Sequence, residues 1–154
     1  MFCPLADSCT ALSKGQVMQL PVKQHRIKMS NRYFNYIYVR MGTCTFIHKR
    51  TADDIWKNLF ELPLVETDRD LSEEEFLSSV SFRSLMAVGE IPEVRSVLRN
   101  VKHVLSHRVI YANFYEVVLP ENSRSFSEYQ CIGMEDLEQY PVSRLVHAFL
   151  EKYV

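Results

Sequence analysis

The chain has 154 residues, 47% of them hydrophobic, and a formal net charge of −1, which is typical of one folded domain with a substantial core. No apolar run approaches the roughly 18 residues that a membrane span needs, and residues 1–9 lack the features of a secretory signal. The four cysteines, at positions 3, 9, 44 and 131, form no CxxC pair. We therefore predict free thiols in a reducing cytosol and no membrane association.

The small net charge hides a strong segregation of charge along the chain. Residues 1–50 carry eight Lys or Arg and one Asp, and residues 94–112 carry four Lys or Arg and no acid. Residues 51–93 hold eleven acids against three bases, and residues 113–154 hold seven against three. This pattern is open to two interpretations. It describes either an uneven solvated surface or, if the fold joins the positive blocks, a cationic face suited to a phosphate backbone.

The first half of the chain predicts a linker followed by a β-hairpin. Residues 10–31 have weak periodicity and many basic or imidazole side chains, which is typical of a linker lying on a surface. RYFNYIYVRM, from Arg32, is rich in aromatic and β-branched residues and predicts a strand. Met41-Gly42 predicts a turn, and TCTFIHKR predicts the partner strand of the hairpin. DIWKNLFELPLVE then predicts a loop leading into a short strand.

The second half predicts a helix, three strands and a final helix. Ser72 and Glu75 have the spacing of a capping box at a helix start. The predicted buried stripe of that helix is Phe76, Leu77, Val80 and Leu85. Strands are expected at 97–105, 109–119 and YQCIG, and a helix opening at Pro141, with Val142, Leu145, Val146, Phe149 and Leu150 at helical spacing. The fold class is therefore α+β, with an antiparallel or mixed sheet flanked by two helices.

KHVLSHRVIY, residues 102–111, concentrates candidate polar chemistry around Ser106. Lys102, His103, His107 and Arg108 surround this serine. A pH switch, a catalytic histidine pair and a nucleic-acid contact remain open from these residues alone. His25, His48, His103 and His147 have no metal-ligand spacing. Cys44 and Cys131 on predicted strands are expected to be buried small hydrophobic residues.

An acidic motif resembles the signature of Nudix pyrophosphohydrolases. The pattern E-x7-R-E-U-x-E-E is matched, with one Asp in place of Glu, by Glu61, Arg69, Asp70, Leu71, Glu73 and Glu74. Such carboxylates would bind Mg²⁺, and the metal ion would in turn bind a diphosphate. Both signature glycines are replaced, by Ile55 and Phe76. In addition, FELP resembles the W-E-F-P strand that precedes the signature in that family, so Glu61 would belong to this strand and not to the signature. A solvated helix start is the favoured interpretation, and nucleotide hydrolysis is the alternative.

Five segments together resemble the adenine DNA glycosylase MutY family. CPLADSC is similar to the end of the C-x6-C-x2-C-x5-C iron–sulfur loop of helix-hairpin-helix glycosylases. LPVKQHRIK, WKNLFELPLVE, VLSH and YPVSRLVHAFL follow in the family's order. The resemblance implies that residues 1–9 are the tail of the cluster loop, that 10–31 are the interdomain linker, and that 32–154 are the Nudix-like carboxy-terminal domain. The other cysteines of the loop would lie upstream of Met1.

The resemblance also implies a role in base excision repair of DNA. The family's Phe-Ser-His loop, matched here by Leu105, Ser106 and His107, reads 8-oxoguanine opposite a mispaired adenine. Cys3 and Cys9 would bind the 4Fe-4S cluster in the full-length protein only, and this chain alone is expected to hold no cluster and excise no adenine. Expected partners are the family's amino-terminal catalytic domain and double-stranded DNA with A:8-oxoguanine or A:G pairs, in a bacterial, nucleoid-associated cytoplasmic setting. To DNA phosphates we assign Lys23, Arg26, Lys28, Arg99, Lys102 and Arg108. A protein-interaction module is the third possibility.

Overall fold

A computed structural model describes residues 3–20, 22 and 28–154 of the chain. Its helices and strands are α1 (Thr10–Ser13), β1 (Ser30–Met41), β2 (Cys44–Lys49), β3 (Phe60–Glu61), β4 (Leu64–Thr67), α2 (Glu73–Ser78), α3 (Val80–Arg83), β5 (Glu93–Val104), β6 (Arg108–Leu119), β7 (Gln130–Gly133) and α4 (Arg144–Tyr153). Short 3₁₀ helices cover Ala6–Ser8 and Met134–Gln139. Within the described ranges, every helix is too short or too polar to cross a membrane.

One mixed sheet organises the described part of the chain. Its strand order is β3-β2-β1-β6-β5, with β4 paired to β1 and β7 paired to β2. β1 and β6 run parallel along their whole length, from the pair Ser30 and Arg108 to the pair Met41 and Leu119. β5 is antiparallel to β6. The predicted α+β class with a mixed sheet flanked by helices is confirmed.

Helices cover both faces of the sheet, and this explains why β1 is buried almost continuously rather than in alternation. On one face the ring of Phe114 stacks on Phe149 of α4, with 4.3 Å between ring centroids. On the other face Tyr115 stacks on Phe76 of α2 at 4.5 Å. Consecutive residues of the central strands therefore enter two different hydrophobic clusters.

The predicted amino-terminal cap of the acidic helix is confirmed, but its buried stripe is only partly right. Ser72 accepts a hydrogen bond from the backbone N–H of Glu75, and the Glu75 carboxylate accepts one from the backbone N–H of Ser72. The helix ends at Ser78, because Ser79 is extended and caps the separate helix α3. This break changes the helical phase. Val80 is consequently 84% exposed, contrary to the prediction.

The first hairpin is shorter than the sequence predicts. Gly42 has a φ of +59° in the turn, as a tight connection requires, but β1 and β2 pair only at Met41 and Cys44. β4 instead pairs with β1 from Tyr33 to Tyr36. The two predicted hairpin strands diverge because a later segment occupies the edge of β1.

Two further boundaries differ from the predicted ones. β5 begins at Glu93, four residues before the expected start, and is interrupted by a register shift near Asn100, whose φ is +53°. The last helix begins at Arg144 rather than at Pro141. The Ser143 hydroxyl caps it by accepting a hydrogen bond from the N–H of Val146, and residue 142 forms a bridge to β3.

Candidate nucleic-acid interface

The hairpin tip at residues 105–107, which joins β5 to β6, presents two polar side chains on a fixed backbone. The backbone N–H of Leu105 donates to the carbonyl of Arg108 at 2.8 Å. The N–H of Ser30, at the start of β1, donates to the carbonyl of His107 at 3.2 Å. The side chain of Leu105 packs against the core, whereas Ser106 and His107 are exposed. In the predicted lesion-reading loop, Leu105 therefore anchors the tip to the core, and Ser106 and His107 are accessible to a ligand.

Three of the predicted phosphate-binding residues lie around this hairpin tip. Lys28 is exposed and precedes Ser30 by two residues, so the contact of Ser30 with the tip places Lys28 beside it. Lys102 is exposed on β5 opposite Tyr111, and Arg108 is the first residue of β6. The predicted linker bases Lys23 and Arg26 lie outside the described residues.

Arg99 lies elsewhere and is engaged by the protein itself. Its guanidinium donates to the carbonyl of Leu71 at 2.7 Å and to the hydroxyl of Tyr115 at 3.2 Å. The carboxylate of Asp70 is 3.6 Å away. Asp70 and Leu71 directly precede α2, and Tyr115 lies on the sheet face that α2 covers. The fold therefore does not bring Arg99 to the hairpin tip.

Asp54 ties the hairpin tip to two other segments of the chain. Its carboxylate accepts hydrogen bonds from Arg32 at 2.8 and 2.9 Å, from Arg50 at 3.0 Å and from Arg108 at 3.0 Å. Burial raises the pKa of Asp54, whereas hydrogen bonds from the backbone N–H of Ile55 and from the Arg32 guanidinium lower it by a larger amount. The net pKa is therefore below the usual value. Asp54 stays ionised and holds the start of β1, the 50–59 loop and the first residue of β6 together.

The same loop places an aromatic ring next to the tip. Trp56 has a φ of +56°, and its indole lies edge-on to His103 of β5 with 5.7 Å between ring centroids. Phe34 of β1 supports the indole from within the core at 6.2 Å. Sequence reasoning missed both this pair and the Asp54 cluster, because residues 32, 54, 56, 103 and 108 share no spacing that a local pattern could reveal.

Two of the four carboxylates of the hydrolase-like motif, Glu61 and Asp70, are bound by different partners within the protein. Glu61 is 2% exposed and binds both the Arg50 guanidinium and the His48 imidazole at 3.0 Å. Asp70 accepts a hydrogen bond from the Asn113 amide at 3.0 Å. In the described part of the chain no group of three or more His, Cys, Asp or Glu side chains is placed to hold a metal ion.

Cys3 and Cys9 flank one compact turn near the amino terminus. The N–H of Ala6 donates to the carbonyl of Cys3 at 3.1 Å, and the N–H of Cys9 donates to the carbonyl of Ala6 at 3.3 Å. Cys3 is exposed and Cys9 is half-buried, and both are free thiols. A 4Fe-4S cluster takes four thiolates, and this turn holds two thiols.

A protein-family model described as the NUDIX domain matches residues 35–152. This chain belongs to the NUDIX domain family. The match covers the whole sheet except the start of β1 and includes α2, α3 and most of α4, so the predicted Nudix-like fold is confirmed. A search of curated proteins returned no match.

Several solved structures share the fold at low sequence identity. The C-terminal domain of mouse MUTYH, in complex with human PCNA, gives a TM-score of 0.60 at 13% identity, covering 79% of this chain and 86% of that one. A MutT protein from Methanosarcina mazei gives 0.58 at 12% identity, covering 82% and 95%. The NUDIX domain of Shewanella oneidensis NrtR, complexed with ADP ribose, gives 0.55 at 11% identity, covering 90% and 94%. At these identities the likeness establishes the fold alone.

Proposed function

We propose that this NUDIX domain is the lesion-recognition domain of an A/G-specific adenine DNA glycosylase of the MutY family, and that it reads 8-oxoguanine opposite a mispaired adenine. The observation that carries the proposal is the hairpin tip. Ser106 and His107 are exposed there on a backbone fixed at both ends, with Lys28 and Lys102 exposed beside them. In DNA recognition, contacts to phosphates position the protein, and polar contacts to base edges provide specificity. Exposed polar side chains beside cations suit both roles.

The chemistry of the lesion explains why a serine suits this position. Oxidation at C8 turns N7 of guanine from a hydrogen-bond acceptor into an N–H donor and adds a C8 carbonyl. The Ser106 hydroxyl both accepts and donates, so it can bond to this altered edge together with backbone groups of the tip. Unmodified guanine presents N7 only as an acceptor. Ser106 would therefore contribute to telling the two bases apart, with His107 as a second contact.

Fluorescence anisotropy with labelled duplexes tests the assignment. The parent chain is expected to bind an A:8-oxoguanine duplex more tightly than an A:G duplex. We expect Ser106→Ala to reduce this preference by about 1 kcal/mol, or roughly fivefold, and Ser106→Ala with His107→Ala to reduce it further. Ser81→Ala on α3, exposed and outside the tip, is the matched control. If the double variant discriminates as well as the parent, the tip has only a structural role.

The salt dependence of binding tests the cationic surroundings of the tip. Replacing Lys28 and Lys102 together by Ala is expected to flatten the slope of log affinity against log salt by about two units, since each phosphate contact contributes roughly one. Arg144→Ala with Lys152→Ala removes the same charge from α4 and is expected to leave the slope unchanged. Equal effects of the two pairs would mean that only net charge matters.

The second candidate function is pyrophosphate hydrolysis of nucleotides, which the NUDIX fold also serves. The separate engagement of Glu61 and Asp70 argues against a shared Mg²⁺ site in the described residues. We expect no Mg²⁺-dependent turnover of nucleoside di- or triphosphates. Turnover that disappears in Glu73→Gln or Glu74→Gln would overturn the glycosylase proposal.

The iron–sulfur cluster and adenine excision are proposed for the full-length protein and not for this chain. Cys3 and Cys9 provide two of the four thiolates needed, and the base-flipping domain of the resembled family precedes this segment. The purified chain is therefore expected to lack iron–sulfur absorbance and to leave adenine in an A:8-oxoguanine duplex. A chain that binds four irons would contradict this division.

A further inference from the structure

Three sulfur atoms belong to residues in neighbouring positions on one face of the sheet. Cys44 of β2 pairs with Met41 of β1 on one edge and with Gly133 of β7 on the other. Cys131 lies two residues before Gly133, opposite Phe46. Directly paired residues share a face, and residues two apart along a strand share a face. Met41, Cys44 and Cys131 therefore form a row across three strands.

The packing agrees with this placement. Met41 contacts the hydrophobic cluster that contains Phe46 and Phe126, which is the face that the register assigns to it. Cys44 is half-buried and Cys131 is exposed, so the prediction that Cys131 is a buried hydrophobic residue is wrong. The register sets Cys131 diagonally opposite Cys44 on the same face of the sheet. The two thiols are near neighbours at the surface.

The diagonal placement suits a bridging ion better than a direct disulfide. Diagonal residues of an antiparallel pair have Cα atoms about 7–8 Å apart, whereas disulfides usually span Cα atoms no more than about 6.8 Å apart. A soft metal ion between two sulfur atoms spans a longer distance than an S–S bond. Soft thiolate and thioether ligands favour Cu(I), Zn²⁺ and iron–sulfur clusters. Structural Zn²⁺ sites and iron–sulfur clusters usually take four ligands, so three sulfur ligands favour Cu(I).

We propose that Met41, Cys44 and Cys131 form a binding site for one Cu(I) ion. Binding forms two copper–thiolate bonds and releases the two thiol protons to solvent, and the Met41 thioether is the third, neutral ligand. No oxidation state changes. The site lies at the turn of β1 and β2, at the opposite end of β1 from Ser30 and the hairpin tip, so this inference is independent of the proposed DNA-binding function.

Anaerobic competition with a chromophoric Cu(I) chelator tests the site, using the reduced Cys3→Ser/Cys9→Ser chain so that Cys44 and Cys131 are the remaining thiols. We expect this chain to take one Cu(I). Cys44→Ser or Cys131→Ser is expected to weaken binding by at least about a hundredfold, since even a lost outer-shell partner costs 10–100-fold. Met41→Leu, which keeps the volume but removes the sulfur, is expected to cost about tenfold.

Two further measurements keep the outcome decisive. Copper X-ray absorption should count three sulfur neighbours in the Cys3→Ser/Cys9→Ser chain and two when Met41→Leu is added. Melting curves without copper check the folding of each variant, with Cys44→Ala as a substitute if Cys44→Ser fails to fold. Undiminished Cu(I) binding in the folded Cys131→Ser variant would overturn the proposal. So would a chain that takes up no Cu(I) and closes a Cys44–Cys131 disulfide instead.

Discussion

Asp54 offers the most direct test of how the hairpin tip is held in place. Asp54→Asn preserves the shape of the side chain and one acceptor oxygen but removes the negative charge that three guanidinium groups share. Arg32 keeps Glu66 at 2.6 Å, and Arg50 keeps Glu61 at 3.0 Å. Among the described residues, Arg108 has no second carboxylate within salt-bridge distance. The variant therefore releases the first residue of β6 more than it releases the other two arginines.

The expected loss of stability comes mainly from the ion pair of Arg108 with Asp54, because Arg108 has no other carboxylate partner among the described residues. A hydrogen bond to a charged group contributes about 1.5–3 kcal/mol, and Arg32 and Arg50 retain most of theirs, so we expect Asp54→Asn to lower the free energy of unfolding by about 2 kcal/mol. For a chain of this size that corresponds to a fall in melting temperature of about 6 °C. The neighbouring Asp53 is 98% exposed and forms a surface salt bridge with Lys57, four residues later in the chain. Asp53→Asn is therefore expected to cost less than about 0.5 kcal/mol.

The pH dependence gives a second, independent measurement of the same interaction. The folded pKa of Asp54 is lowered, so as the pH falls the unfolded chain takes up this proton before the folded chain does. The stabilisation by the ionised group is full above about pH 4, near the unfolded pKa, and is lost as the pH falls through the lower folded pKa. The stability difference between the parent and Asp54→Asn should stay constant from pH 7 to about pH 5 and close below about pH 4.

Urea unfolding of the parent, Asp54→Asn and Asp53→Asn at several pH values measures both effects. In parallel, the anisotropy assay should show weaker discrimination of 8-oxoguanine by Asp54→Asn, because Arg108 borders the tip. Equal stability losses in the two aspartate variants would refute the reasoning. A difference between parent and Asp54→Asn that persists unchanged at pH 3 would refute it too.

Other substitutions test the packing and the caps. Phe76→Ala is expected to cost about 3–5 kcal/mol because the ring is fully buried, whereas Val80→Ala, at a residue 84% exposed, should change the unfolding free energy by less than about 0.5 kcal/mol. Similar losses would mean that the α2–α3 break is absent in solution. Ser72→Ala should cost about 1 kcal/mol through the lost helix cap, and no loss would show that the cap does not form. Asn113→Ala should cost about 2 kcal/mol, since it leaves the backbone N–H of Asn100 without its acceptor, and hydrogen exchange at Asn100 should rise with it.

The sequence by itself determined the parts of this protein that depend on local chemistry. The aromatic and β-branched run from Arg32 predicts β1, and the Ser72 and Glu75 spacing predicts a capping box. The strand-like runs at 97–105 and 109–119 predict two strands with a short connection that contains Ser106. Each depends on interactions between residues a few positions apart, which a pattern records directly. The α+β class followed from the order of these elements.

Only the tertiary structure decided which distant residues meet. β4 displaces β2 along β1, Asp54 gathers three arginines from separate segments, and Met41, Cys44 and Cys131 form a row across three strands. From the sequence, Arg99 is assigned to DNA phosphates together with Lys102, but its guanidinium binds the Leu71 carbonyl and does not lie at the tip. Pairing between strands depends on which edge remains unoccupied when the sheet forms. That competition is global, so no local spacing encodes it.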